Sequence, residues 1–126
     1  MTVMEPLIAI DLNSNMSLKQ IEEALKKLFE KFGALDVVFL IDDDSIVEIR
    51  GNLVTTFYNI KELLETYKML KQLSESKSNR LRVSSVIRLE RELKRFPLII
   101  ITDRKIVGLE KNLVFVYDGT NVKAKY

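Results

Sequence analysis

The chain has 126 residues, of which 47% are hydrophobic, and this is the size of one domain with a substantial core. Its 20 Lys and Arg against 18 Asp and Glu give a net charge of +2, which is too small to indicate nucleic-acid binding by itself. The absence of cysteine and histidine excludes disulfides, zinc–thiolate sites, thiol nucleophiles and histidine bases. Any chemistry therefore depends on carboxylates, hydroxyls, amides, Lys, Arg or Tyr.

The amino-terminal residues "MTVMEPLIAIDL" lack the basic start and the long apolar run of a signal peptide, and no apolar run in the sequence is long enough to span a bilayer. We therefore expect a cytoplasmic protein that forms a single domain over residues 1–126, with no membrane contact. The many Lys, Glu and Ile residues, together with the absence of Cys, His and Trp, suit a thermophile.

The first half of the chain predicts a strand, a helix and a hairpin. "PLIAIDL" is a short apolar run typical of a strand buried on both faces. The Ser17 and Gln20 spacing predicts a capping box at the start of an amphipathic helix, which Gly33 ends. "ALDVVFLI" is a second buried strand, and "IVEIR" predicts an edge strand after the turn "DDDS".

The second half predicts two helices and two further strands. Asn59 and Glu62 resemble a cap for the second helix, which fades into the polar loop "SESKSN". A third helix carries apolar residues from Val83 to Phe96 and stops at Pro97, before the most apolar strand, "LIIITD". "NLVFVYDG" is the final strand, and "TNVKAKY" is polar enough to fray. This order predicts a three-layer α/β domain whose sheet is mostly parallel, with one antiparallel edge hairpin and helices on both faces.

Two of the most buried strands end in an acid, "LIAIDLNSN" at Asp11 and "LIIITDRK" at Asp103. Because ligands of open α/β sheets bind beyond the carboxyl ends of the strands, we expect both acids to face one crevice. Between them in sequence, "GNLVTTFYN" places Thr55 and Thr56 just before a helix and offers a third loop for that crevice.

Together these motifs resemble a von Willebrand factor A-type domain over roughly Pro6 to Asp118. That family holds Mg²⁺ or Mn²⁺ with an Asp-x-Ser-x-Ser motif, a Thr on a later loop and an Asp at a strand end. The resemblance implies a metal site made by Asp11, Asn13, Asn15, Thr56 or Thr55, and Asp103. Such oxygen ligands suit Mg²⁺, which usually retains several waters.

The sequence departs from the family pattern at both serines, which are Asn13 and Asn15, and after Asp103, where Arg104 replaces Gly. The segment between the last two strands is also short for the helix that the family carries there. These departures leave a degenerate site open, in which amides crowd the pocket and Arg104 takes the place of the cation as a salt-bridge partner for Asp103.

The resemblance implies a protein-binding module without catalytic residues, with an ATPase assembly as one class of partner. The alternative is a PIN-like metal-dependent nuclease, in which Asp11 and Asp103 would work with further acids chosen from Glu48, Glu62 and Asp118. Metal-dependent cleavage of a phosphodiester by two ions needs several acids that converge on metals about 4 Å apart.

Two charged segments have simpler explanations. The acidic run Asp42, Asp43 and Asp44 is typical of a solvated hairpin turn. The segment from Arg80 to Arg95 is rich in arginine, including Arg82, Arg88 and Arg91, and we interpret it as the solvated face of a helix. No aromatic residues alternate with these cations, so nucleic-acid binding is not predicted.

Overall fold

The computed structural model describes residues 5–42, 44–74, 78–108, 114–117 and 122–125. Its large sheet is built on four parallel strands, which are β1 (Leu7–Asp11), β2 (Leu35–Ile41), β6 (Leu98–Ile101) and β8 (Val114–Tyr117). Their spatial order is β2-β1-β6-β8. The apolar runs of β1 and β6 are buried along their whole length, as strands covered on both faces must be.

Antiparallel strands complete both edges of this sheet. On one side, β3 (Ser45–Ile46) and β4 (Thr55–Phe57) pair with opposite ends of β2. On the other side, β9 (Val122–Lys125) pairs with β8, so these four residues, which belong to the segment expected to fray, form a strand. Two further short strands, β5 (Arg80–Arg82) and β7 (Lys105–Val107), form a separate parallel pair that the sequence pattern did not predict.

Helices cover both faces of the large sheet. The apolar sides of α1 (Leu18–Phe32) and α2 (Ile60–Lys71) pack in one core, with Ile8, Ile10 and Phe39. The apolar side of α3 (Ser84–Leu93) packs in the other, with Leu7, Ala9 and Val38. The predicted three-layer α/β fold with a mostly parallel sheet is therefore confirmed.

The predicted helix ends are largely present. The Ser17 hydroxyl accepts a hydrogen bond from Gln20 N–H and the Gln20 side chain accepts one from Ser17 N–H, which completes the capping box. Asn59 caps α2 by accepting a hydrogen bond from Glu62 N–H, and α3 ends at Leu93, before Pro97. The described part of the chain has no helix that is both long and apolar enough to cross a membrane.

The edge beside β2 differs from the predicted hairpin. Strand β3 ends at Ile46, and the chain then forms a tight turn, in which Arg50 and Gly51 have positive φ angles, before β4 returns to β2. Phe57 is 2% exposed and packs edge-on against Phe39, with ring centroids 6.2 Å apart. Burial of this ring draws Thr55 and Thr56 into a strand, where the sequence had indicated a loop.

Candidate functional site

The carboxyl edge of the parallel strands carries the buried polar residues of the described chain. The set consists of Asp11, Asn13, Ser14, Thr102 and Arg104. Strand β1 leads through α1 to β2 on one side, while β6 lies on its other side, so the sheet order reverses at β1. Ligands of open α/β sheets usually bind at such a reversal. This cluster is therefore the candidate functional site.

Asp11 is fully buried and both of its carboxylate oxygens are hydrogen-bonded. Oδ1 accepts from Asn13 N–H at 3.0 Å and from Arg104 Nη2 at 2.8 Å. Oδ2 accepts from the Thr102 hydroxyl at 2.6 Å and from Arg104 Nε at 2.7 Å. A carboxylate with four donors is fully satisfied, and the two-point pairing with a guanidinium is its strongest interaction.

Arg104 connects two other segments to this carboxylate. Its Nη2 also donates to the Asp42 carbonyl at 2.8 Å, beyond the end of β2. Its Nη1 donates to the carbonyls of Ser78 at 3.3 Å and Arg80 at 3.2 Å, at the start of β5. These bonds and those to Asp11 use all five guanidinium N–H groups. Arg104 therefore joins the ends of β1 and β2 to the beginning of β5.

The loop after β1 is held from a second direction by α2. Lys71 Nζ donates to the carbonyls of Leu12 at 2.6 Å and Ser14 at 2.7 Å. Burial lowers the pKa of Lys71, and the nearby carboxylates of Asp11 and Asp103 oppose this effect. Backbone carbonyls thus provide the acceptors for a partly desolvated ammonium group.

Tyr67 lies one helical turn before Lys71 on α2 and is 3% exposed. Burial raises the pKa of its phenol, and the charges of Asp11 and Asp103 raise it further, whereas the neighbouring Ser14 hydroxyl opposes the shift. The Ser14 hydroxyl itself is buried and has no hydrogen-bond partner of good geometry among the described residues. The loop after β1 is thus flanked by Tyr67 and Lys71 on α2 and by Asp103 after β6.

The structure brings four of the five predicted metal ligands to this edge. Asn13 Oδ1 accepts a hydrogen bond from Asp42 N–H at 2.6 Å. Asp103 is exposed, and its Oδ1 accepts from Asn15 N–H at 2.9 Å, so Asp11 and Asp103 flank the same loop. Arg104 pairs with Asp11, whereas the degenerate-site alternative had paired it with Asp103.

Thr56 does not join these residues. Because β4 runs antiparallel to β2, Thr56 lies beside Asp36 near the amino end of β2, whereas Asp11 lies beside Leu40. The Thr56 hydroxyl donates to Asp36 Oδ1 at 2.5 Å, and Arg95 contacts Asp36 Oδ2 at 2.9 Å. Thr55 pairs with Val37, further along the same edge strand. Neither threonine is placed to complete a site around Asp11.

The donor set around Asp11 does not fit a divalent cation. An ion bound to either carboxylate oxygen would displace Arg104 or lie against its positive charge, and it would compete with the Thr102 and Asn13 donors. The Asn13 side-chain oxygen is also occupied, by Asp42 N–H. The positive charge beside the Asp11 carboxylate is that of Arg104.

The described acids of the nuclease alternative are not gathered into one cluster. Asp118 lies outside the described residues, and Glu62 lies in the first turn of α2, beside the cleft that contains Thr55 and Thr56. Within the described ranges, no group of three or more acidic side chains is arranged to hold a metal.

The acidic turn has a structural role that the sequence did not reveal. Asp44 Oδ1 accepts from Ser85 N–H at 3.1 Å and Oδ2 accepts from the Ser84 hydroxyl at 2.8 Å. Helix α3 has no capping side chain of its own, and Asp44 supplies one from a distant turn. Asp43 lies outside the described residues.

Comparison with known proteins finds no matching family model, no matching curated protein and no matching solved structure.

Proposed function

We propose that this protein is an intracellular protein-binding module related to von Willebrand factor A-type domains, in which Arg104 replaces the divalent cation. The observation that carries the proposal is the two-point ion pair between Arg104 and the fully buried carboxylate of Asp11. This pair fills the position where α/β domains usually hold a ligand, and it links the loops around that position.

The sheet topology supports the relationship. The sheet is open and has the order β3-β2-β1-β6-β8-β9, with the antiparallel strand β3 beside β2. Helices pack on both of its faces. The loops at its carboxyl edge are held together by internal bonds and keep exposed side chains at Asn15, Asp42 and Asp103. A rigid loop surface loses little conformational entropy when it binds a partner.

Under this proposal, Asp11 acts inside the protein and does not contact the partner, because none of its surface is accessible. The partner binds the exposed rim formed by Asn15, Asp42 and Asp103. The resemblance makes an ATPase assembly the first class of partner to examine.

The test is affinity capture from the native host with the immobilised protein, carried out in Mg²⁺ and again in EDTA. We expect the same partner in both buffers, and weaker capture by Asn15→Ala combined with Asp103→Asn. An Asn side chain at position 103 keeps an acceptor for the N–H of residue 15, so the loop should retain its conformation in this variant. Lys61→Ala, on the exposed side of α2, is the matched control. Capture that disappears in EDTA would contradict the role proposed for Arg104.

The nuclease alternative is examined with the same preparations. Incubation with labelled single- and double-stranded RNA and DNA in Mn²⁺ should give no cleavage. Cleavage by the wild type that is lost in Asp11→Asn would replace the binding-module proposal.

A further inference from the structure

The small sheet of β5 and β7 presents a cationic face. Leu81 is fully buried in the core beneath α3, whereas Arg80 and Arg82 on either side of it are exposed. Because side chains alternate along a strand, both arginines lie on the outer face of β5. These two arginines therefore lie on the surface of a strand, whereas the sequence had been interpreted as placing them on the solvated face of a helix.

The register of the pair adds a third cation. Arg80 pairs with Lys105, which is also exposed, and Arg82 pairs with Val107. A cleft of about 240 Å³ opens on this face, and its lining includes Ser78, Arg80, Arg82, Val107 and Gly108. None of the described residues that line the cleft is acidic, and the described residues give no ion pair to Arg80, Arg82 or Lys105.

The backbone that carries these cations is fixed from behind. Arg104 donates to the carbonyls of Ser78 and Arg80, and Lys105 N–H donates to the Asn79 carbonyl at 2.8 Å. The buried ion pair therefore positions the amino end of β5, and the parallel ladder joins it to β7. Cations carried by an ordered backbone lose less conformational entropy on binding than cations on a mobile loop.

We propose that this cleft binds the phosphate group of a phosphorylated serine or threonine on a protein partner. The inference rests on the proposed function, for which it names the chemistry of one partner contact. The two guanidinium groups that line the cleft match a phosphate dianion, because guanidinium N–H pairs bond phosphate oxygens two at a time. Lys105, the register partner of Arg80, adds positive charge beside the cleft.

The size and lining of the cleft favour a phosphoryl side chain over a nucleic acid. Its volume is below the range of roughly 300–1,000 Å³ that is usual for sites of larger small molecules, and it suits a single phosphate group. Among the described residues that line the cleft there is no aromatic side chain on which a base could stack. Recognition of phosphorylated peptides by arginine clusters is a common mode of protein binding.

The proposal is tested by NMR titration of the ¹⁵N-labelled full chain with a short Gly/Ala peptide that contains one phosphoserine. The comparison probes are the same peptide with serine, the same peptide with glutamate, inorganic phosphate and an oligouridylate. We expect the phosphoserine peptide to bind at least about tenfold more tightly than the serine peptide. Its amide shifts should cluster in β5 and β7, and its affinity should fall as salt rises.

The decisive variant is Arg80→Gln combined with Arg82→Gln, which should weaken phosphopeptide binding by about tenfold or more. Lys61→Gln combined with Lys68→Gln removes the same charge from the exposed side of α2 and is the matched control. Both double variants should melt close to the wild type, because the replaced side chains are exposed.

Three results of the titrations would overturn the proposal: shifts scattered over the surface, equal weakening in the control variant, or tight binding of the oligouridylate with no response to the phosphopeptide. A fourth result, from partner capture, would also overturn it. If the arginine variant fails to bind phosphopeptide but still captures the native partner, the cleft is not part of the interface. In that case the proposed binding function stands and this inference fails.

Discussion

At the scale of single residues, the Asp11–Arg104 pair illustrates how a buried charge is tolerated. Removing either ion from water is expensive, and the cost is recovered only when the pair has good geometry and its remaining atoms are hydrogen-bonded. Here the Arg104 side chain is 1% exposed and every donor has an acceptor. The pair is therefore better understood as a specific connection between loops than as a source of net stability.

This leads to a prediction for the two single variants and the double variant. Asp11→Leu and Arg104→Met should each lower the free energy of unfolding by about 3–5 kcal/mol, because each leaves an uncompensated buried charge. The double variant should lose much less than the sum of the two, since no charge remains unpaired. Urea denaturation of the three proteins measures this coupling, and additive losses would show that the two groups do not act as a pair.

Tyr67 provides a prediction about alkaline stability. Its pKa is raised in the folded chain above the ordinary value of 10.0, mainly by burial, so the phenol contributes stability that is complete below about pH 10. This contribution is lost as pH rises through the pKa of the folded chain, because the unfolded chain ionises first. Tyr67→Phe should therefore lose less stability above pH 10 than the wild type does.

Tyr58 is the matched control, since it is 73% exposed. The stability of Tyr58→Phe should follow the wild type across the alkaline range. Thermal melting at a series of alkaline pH values, together with tyrosinate absorbance, measures both effects. Identical profiles for the Tyr67 and Tyr58 variants would contradict the assignment.

At the scale of elements, the start of α3 depends on a turn about 40 positions earlier in the chain. Val83 occupies the cap position and has no side chain that can accept a hydrogen bond, so Asp44 provides both the acceptor and a negative charge near the positive end of the helix. The β2–β3 turn and α3 therefore stabilise each other, and α3 in turn covers the second core.

Asp44→Ala should consequently lower the free energy of unfolding by about 1 kcal/mol, within the range for loss of a helix cap. The control is Asp42→Asn, which removes a charge from the same turn and keeps a residue type that tolerates the positive φ of 57° found there. Its effect should be smaller than that of Asp44→Ala. Equal losses in the two variants would indicate a general effect of charge and would contradict a capping role.

At the scale of the whole molecule, the arrangement of the carboxyl edge predicts how the protein responds to metals. A ligand that binds only the folded state raises stability by RT ln(1 + [L]/Kd), or about 2.7 kcal/mol at a hundredfold excess over Kd. Because Arg104 holds the Asp11 carboxylate, we expect the same melting temperature in millimolar Mg²⁺, millimolar Mn²⁺ and EDTA. A clear rise with either ion that is absent in Asp11→Ala would restore the metal-binding prediction.

The sequence by itself determined the local structure and part of the site. Apolar runs and helical periodicity predicted the buried strands β1, β2 and β6 and the helices, because burial on one or both faces leaves a direct trace in residue spacing. The polar residues directly after β1 and β6 placed Asp11 and Asp103 at one edge, since parallel strands end together. The capping box at Ser17 was also readable, because both of its partners lie within one helical turn.

Only the tertiary structure decided which of these groups meet. Arg104 and Asp11 are 93 positions apart, and nothing in the spacing of either distinguishes Asp11 from the nearer Asp103 as the partner. Thr56 lies near the opposite end of β2 because burial of Phe57 turns its segment into an antiparallel edge strand. The β5–β7 pair was not visible, because two three-residue strands are too short to show a period. Local patterns specify elements, whereas contacts between distant segments depend on how the whole core packs.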